Sequence, residues 1–172
     1  MTVAALIVVS GIPGTGKSTL ADALAAAFGA PVFTKDRIEA SLWTSGVTAD
    51  HESWTVAEDL LGTLASEQLR RKQSAILDTV ARTRQSRDVW RTIAEDHGAA
   101  FKPIECICSD ETVHRRRIDG RERGIPGWYE LTWADIERSR DLWEPWDCNR
   151  LTLDAITPLD ENVASAMAYI TA

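Results

Sequence analysis

Apolar positions along the chain follow two rhythms. Short, nearly unbroken apolar runs predict strands over 3–9, 32–34, 74–80, 101–108 and 150–154. Between them apolar residues return every three or four positions, which predicts helices over 19–28, from Lys35 through Ile38 and Leu42, over 51–71, over 84–97, after Asp110, over 131–143 and over 159–170. The breaks are chemical as well as rhythmic. Gly29 and Gly98 sit where helices must stop, Pro31 forbids continuation of the first, and Ser109-Asp110-Glu111 supplies a helix cap. Strands that alternate with helices in this way argue for an α/β fold, a three-layer sandwich in which a parallel sheet is covered on both faces.

In such a sheet ligands bind beyond the carboxyl ends of the strands, so the residue after each apolar run carries the information. The first run ends in Ser10 and opens into Gly11, Ile12, Pro13, Gly14, Thr15, Gly16, Lys17 and Ser18, with Thr19 entering the helix. This is the G-x-x-x-x-G-K-[ST] pattern of a P-loop, preceded by a strand and followed by a helix as that loop requires. Glycines let main-chain N–H groups converge on an anion, and the helix adds the positive end of its dipole. Lys17 reaches the β- and γ-phosphates in such a loop, and the Ser18 hydroxyl binds Mg²⁺. A nucleoside triphosphate is the expected ligand.

Asp36, Asp78, Asp110 and Asp154 follow the other four runs. Asp36 has two readings: a carboxylate that takes the proton of an attacking hydroxyl, and a helix N-cap. Asp78 follows its strand as a Walker-B-type acid does, so it is a candidate for Mg²⁺ or for substrate, against a plain turn residue. Arg82, Arg84 and Arg87 lie just beyond it. One of the three is a candidate for contact with an anionic or hydroxylated acceptor, Arg82 first among them, with a solvated helix start as the other reading for each.

Composition narrows the class. A chain of 172 residues fits a single domain spanning 1–172, and its net charge of −7 makes nucleic acid or an anionic membrane a poor partner. Three cysteines without Cys-x-x-Cys spacing suit a reducing cytoplasm, and no apolar run approaches the length of a membrane span. Against this acidic background five arginines crowd into 115–123. A mobile arginine-bearing segment over about 112–130 could close on a phosphoryl group, with Arg117 and Arg121 as the leading contacts and Arg123 beside them. An exposed helix is the alternative. Trp128, Tyr129, Trp133, Trp143 and Trp146 follow it, and Trp128 and Trp43 are candidates for the wall of a substrate pocket, against simple packing. His51, His97 and His114 lack metal spacing and read as surface residues.

With these features in place the chain resembles the small P-loop kinases that phosphorylate a hydroxyl group, among them gluconate kinase, chloramphenicol phosphotransferase, polynucleotide kinase and, more distantly, zeta-type toxins. Four stretches carry the likeness: 11–18, Thr34-Lys35-Asp36-Arg37, Leu77-Asp78-Thr79 with the helix of Arg87, and the Arg-x-x-x-Arg pair of Arg117 and Arg121. The resemblance implies a five-stranded sheet in the order 2-3-1-4-5, ATP with Mg²⁺, Asp36 as general base, and the loop from Asp154 to Pro158 beside adenine. It implies a small-molecule hydroxyl acceptor, and a monomer or homodimer is expected. Glu39 stands where polynucleotide kinases carry an arginine, and Asp78-Thr79-Val80-Ala81-Arg82 matches the Asp-Gly-Phe-Pro-Arg of adenylate-kinase-like enzymes only at its ends. Nucleotide and polynucleotide acceptors therefore rank behind a sugar, metabolite or antibiotic. A regulatory nucleotide switch without kinase activity, and a toxin-type kinase, remain as other classes.

Overall fold

A computed structural model describes residues 3–49, 51–120, 122 and 124–172, with His51 described by its backbone alone. The elements run β1 (Ala5–Ser10), α1 (Lys17–Phe28), β2 (Val32–Thr34), α2 (Lys35–Thr44), α3 (His51–Arg70), β3 (Ala75–Asp78), α4 (Arg84–Asp96), β4 (Ala100–Ile107), α5 (Glu111–Asp119), α6 (Trp133–Asp141), β5 (Leu151–Asp154) and α7 (Leu159–Thr171). The five strands form one parallel sheet in the order β2-β3-β1-β4-β5. This is the order the resemblance implies.

β1 is central and every one of its residues is buried, which is why it reads as an unbroken apolar run rather than an alternating one. Its side chains still alternate between two cores. Ile7 and Val9 pack with Leu20, Leu24, Ala166 and Ile170 of α1 and α7, whereas Leu6 and Val8 pack with Leu61, Leu69, Trp90 and Ala94 of α3 and α4. Both faces are thereby closed, and the site is left to the carboxyl edge.

Element ends differ from the sequence reading where a cap decides them. α1 begins at Lys17, two residues before the expected start, because Gly16 caps it and its carbonyl accepts the first helical bond from Leu20 N at 3.0 Å. α6 begins at Trp133 rather than Leu131: the Thr132 main-chain N–H donates to Asp135 Oδ2 at 2.7 Å and the Thr132 hydroxyl to the same oxygen at 2.6 Å. Among the described residues no helix is long and apolar enough to cross a membrane.

Candidate active site

Strand register sets the first relationship. Asp78 closes β3 opposite Val9 of β1 on one side and Thr34 of β2 on the other. The carboxylate-bearing end of β3 therefore lies between the root of the P-loop and the start of α2, and Asp78 is buried there. Asp36 is the second residue of α2, inside its first turn, while Thr34 holds the N-cap position. Its carboxylate thus sits in the favourable field of the helix N-terminus, but it is not the cap itself.

The P-loop is held from behind. Gly11 N donates to Val80 O at 3.3 Å, and a β-carbon on Gly11 would lie 2.3 Å from the Cys106 carbonyl oxygen, so only glycine fits against β4. Gly14 is confined from the other side, where a β-carbon would meet Ile118 Cδ1 at 2.7 Å and His114 Nε2 at 2.8 Å. Thr15 Oγ1 and Lys17 Nζ both donate to Ile12 O, at 2.8 and 3.2 Å. Ser18 and Thr19 are exposed at the helix start.

Two of the cavities that border this loop reach α1. One, of about 530 Å³, runs from Gly14, Thr15 and Gly16 past Arg117 to the β5–α7 loop and Asn162. Its volume is that of a small-molecule site. Arg117 Nη2 donates to Ala155 O at 2.9 Å, which ties α5 to that loop. The other, of about 220 Å³, joins Ser18 and Asp36 with Thr34, Arg37, Glu122 and Ile125. Glycines that no larger residue could replace and a helix N-terminus beside open cavities fit the phosphates of a nucleotide.

The remaining residues named from the sequence are distributed unevenly. Arg82 is half-buried in the turn between β3 and α4, and its carbonyl accepts from Glu144 N at 3.0 Å. Trp43 and Trp128 stack on one another at 4.8 Å and 14°, with Tyr129 against both, so the segment after Pro126 rests on the end of α2. Arg121, with Arg123, lies outside the described residues. Arg87, expected as an acceptor contact or a solvated helix start, is fully buried: Nε donates to Ala81 O at 2.8 Å, Nη2 to Arg82 O at 3.0 Å, and the guanidinium lies 4.2 and 5.0 Å from the rings of Trp146 and Trp143.

Three groups went unseen in the sequence. His114, expected at the surface, is buried, and burial holds its ring below the ordinary imidazole range, with Arg140, Arg117 and Lys17 adding to the effect. His114 stands one turn before Ile118, the other buried residue of α5, and that i,i+4 spacing was the available signal. Lys35 and Glu39 form a buried pair at 2.5 Å, with Ser53 donating to Glu39 at 3.2 Å and Trp43 Nε1 to Ser53 at 2.9 Å. Beside them burial pushes Glu58 up to about 7 against the pull of Lys35. The i,i+4 spacing of Lys35 and Glu39 predicts the pair, but nothing local predicts its burial.

A family profile described as AAA domain matches residues 6–146. The chain belongs to that family. Solved structures similar to this AAA domain share its fold. A gluconokinase from Sinorhizobium meliloti 1021 superposes with a TM-score of 0.72 at 21% identity, covering 99% of this chain and 93% of that one. The Mycobacterium tuberculosis APS kinase CysC, in complex with AMPPNP and APS, gives 0.74 at 15%, covering 99% and 100%. Chaetomium thermophilum Kti12, in complex with ADP-AlF3, gives 0.72 at 20%, covering 97% and 99%. No curated protein matches the sequence of the AAA domain.

Proposed function

We propose that the protein is an ATP-dependent phosphotransferase that moves the γ-phosphoryl group onto a hydroxyl of a small molecule. The observation that carries this reading is the shared cavity of Ser18 and Asp36, which opens at the end of the P-loop. A carboxylate that lies there rather than in the nucleotide cavity is suited to an acceptor. The nucleotide-bound CysC and Kti12 complexes, similar in fold, support nucleotide binding at the loop, and the gluconokinase and APS kinase support transfer.

In this reading the P-loop amides and Lys17 hold the triphosphate, and Lys17 leaves Ile12 O to do so. Arg117 borders the nucleotide from α5, and Arg121 joins it as the segment over about 112–130 closes as a lid. Ser18 and Asp78 would hold Mg²⁺, a sparse donor set of the kind Mg²⁺ takes beside phosphate and water. Bound there, Mg²⁺ offsets negative charge on the phosphates. Asp36 accepts the proton of the acceptor hydroxyl as that oxygen attacks phosphorus, and ADP leaves in line. Asp78, Arg82, Trp43 and Trp128 are the candidates for further contacts to the acceptor. The whole chain, 1–172, then acts as one kinase domain, and a cytoplasmic setting fits its three free cysteines.

The fold shared with Kti12 supports a second reading, a nucleotide-binding switch without an acceptor. One experiment separates them. The protein, ATP and Mg²⁺ are incubated with sugars, aminocyclitols, nucleosides and hydroxylated antibiotics, and products are followed by mass spectrometry beside a Lys17→Ala control. A compound that gains a phosphoryl group only with the wild type establishes the kinase. Slow ADP release with every compound unchanged favours the switch.

A further inference from the structure

His114 lies between two parts of the molecule that the proposed chemistry needs. One ring nitrogen, Nε2, is 2.8 Å from Pro13 O in the P-loop, and the other, Nδ1, is 3.2 Å from Arg140 Nη2 of α6. A guanidinium can only donate, so Nδ1 accepts, and Nε2 carries the proton and donates it to Pro13 O. Both contacts thus require one neutral tautomer. The ring also packs against the P-loop itself, since a β-carbon on Gly14 would come within 2.9 Å of two of its atoms. Trp133 closes the pocket edge-on at 5.3 Å.

We propose that His114 is a positioning residue for nucleotide binding, holding the Pro13–Gly14 backbone of the P-loop in its anion-cradling form and tying it to α6 through Arg140. This rests on the reading of the P-loop as the triphosphate site. The reason is geometric. The amides that would face phosphate belong to a backbone whose opposite side is fixed by one hydrogen bond and one ring. Free to turn, those amides would have to be ordered at the moment of binding, and affinity would fall by that cost.

The arrangement also fixes what protonation does. The charged groups around the ring are Arg140 from α6, Arg117 from its own helix and Lys17 from α1, and Glu111, on α5, pairs with Arg140 at 3.5 Å. A proton on Nδ1 would point a second donor at Arg140, so the arrangement favours the neutral ring; protonation would part Nδ1 from Arg140 and release α6, while the Nε2 bond to Pro13 O would remain.

The test is calorimetric titration of AMPPNP with Mg²⁺ into the full chain at about pH 8, where the ring is neutral, for the wild type, His114→Gln, His114→Phe and Arg140→Met. Glutamine keeps an N–H donor for Pro13 O and should bind within about threefold of the wild type, consistent with a retained neutral hydrogen bond. Phenylalanine keeps a ring and loses both nitrogens, and should bind about tenfold more weakly, the scale of one lost hydrogen bond. Arg140→Met cuts the tie to α6 and should weaken binding by about threefold. Wild-type affinity in a folded His114→Phe would overturn the proposal, as would His114→Gln binding as weakly as His114→Phe. Wild-type protein that is folded but binds no AMPPNP overturns the nucleotide reading and this inference with it.

Discussion

Arg87 donates through Nε to the main-chain carbonyl of Ala81 at 2.8 Å, and Ala81 stands at φ +46°, a left-handed conformation for a residue that carries a β-carbon. Such a conformation costs about 1–2 kcal/mol and persists only where surrounding structure over-determines it. Here the constraint is a buried guanidinium clasped between Trp143 and Trp146, with a second bond to Arg82 O. Arg87→Met keeps the bulk and loses both donors. It should destabilise the protein by about 3 kcal/mol in urea unfolding, the scale of breaking a buried charged hydrogen-bond network. Unchanged stability would show that the turn holds itself.

Asp36 should separate transfer from binding. Asp36→Asn keeps the shape of the first turn of α2 and removes the proton acceptor. Nucleotide affinity should stay within about threefold while transfer to an identified acceptor slows by about 10²-fold or more, the scale of a lost general base. Transfer at the wild-type rate would remove Asp36 from the chemistry.

The β5–α7 loop should prefer a base bearing an amino group over one bearing a carbonyl at the same edge. Its main-chain donors are spent internally: Ala155 N on Ile107 O at 2.8 Å, Ile156 N on Asp154 Oδ1 at 3.2 Å and Thr157 N on Asp154 O at 3.0 Å, while Pro158 has none. What the loop backbone still offers is carbonyl oxygen, which accepts from adenine and repels the guanine oxygen. ATP should bind about tenfold more tightly than GTP, one hydrogen bond against one unpaired acceptor. Competition titration measures it, and equal affinities would move base recognition to another wall.

Glu58 should make stability fall as pH rises. Its carboxyl is pushed from 4.5 up to about 7 by burial, and Oε1 is buried with no partner. The folded protein then binds more protons than the unfolded chain between those values. The cost of ionising the group in place is absent below pH 4.5 and complete above pH 7. Glu58→Gln should therefore raise stability by about 1–2 kcal/mol at pH 8, after discounting for partial solvent screening, and leave it unchanged near pH 4.5. Thermal unfolding at the two pH values reads the difference, and equal gains at both would exclude ionisation as the cause.

Much of this architecture was legible because it is written locally. The apolar runs, the breaks at Gly29, Pro31 and Gly98 and the Asp110 cap are each settled within a few residues, and the P-loop spacing specifies its own turn. The Asp36 and Asp78 positions followed from counting strand ends. What escaped depends on residues far apart in sequence. Arg87 offered an acceptor contact or a solvated helix start, the usual places for an arginine there, and only Trp143 and Trp146, more than fifty positions on, make its burial tolerable. His114 escaped for the same reason: Pro13 lies 101 residues away. Lys35 and Glu39 announce a pair by their spacing, but the α3 residues that cover them do not.

The stack of Trp43 on Trp128 joins α2, which carries Asp36, to the chain that follows the arginine cluster. Two indoles 4.8 Å apart and nearly parallel form an optical reporter native to the protein. Any movement that parts that segment from α2 must unstack them, so its timing can be followed in the ultraviolet without a label, through the emission of two side chains that the sequence already supplies.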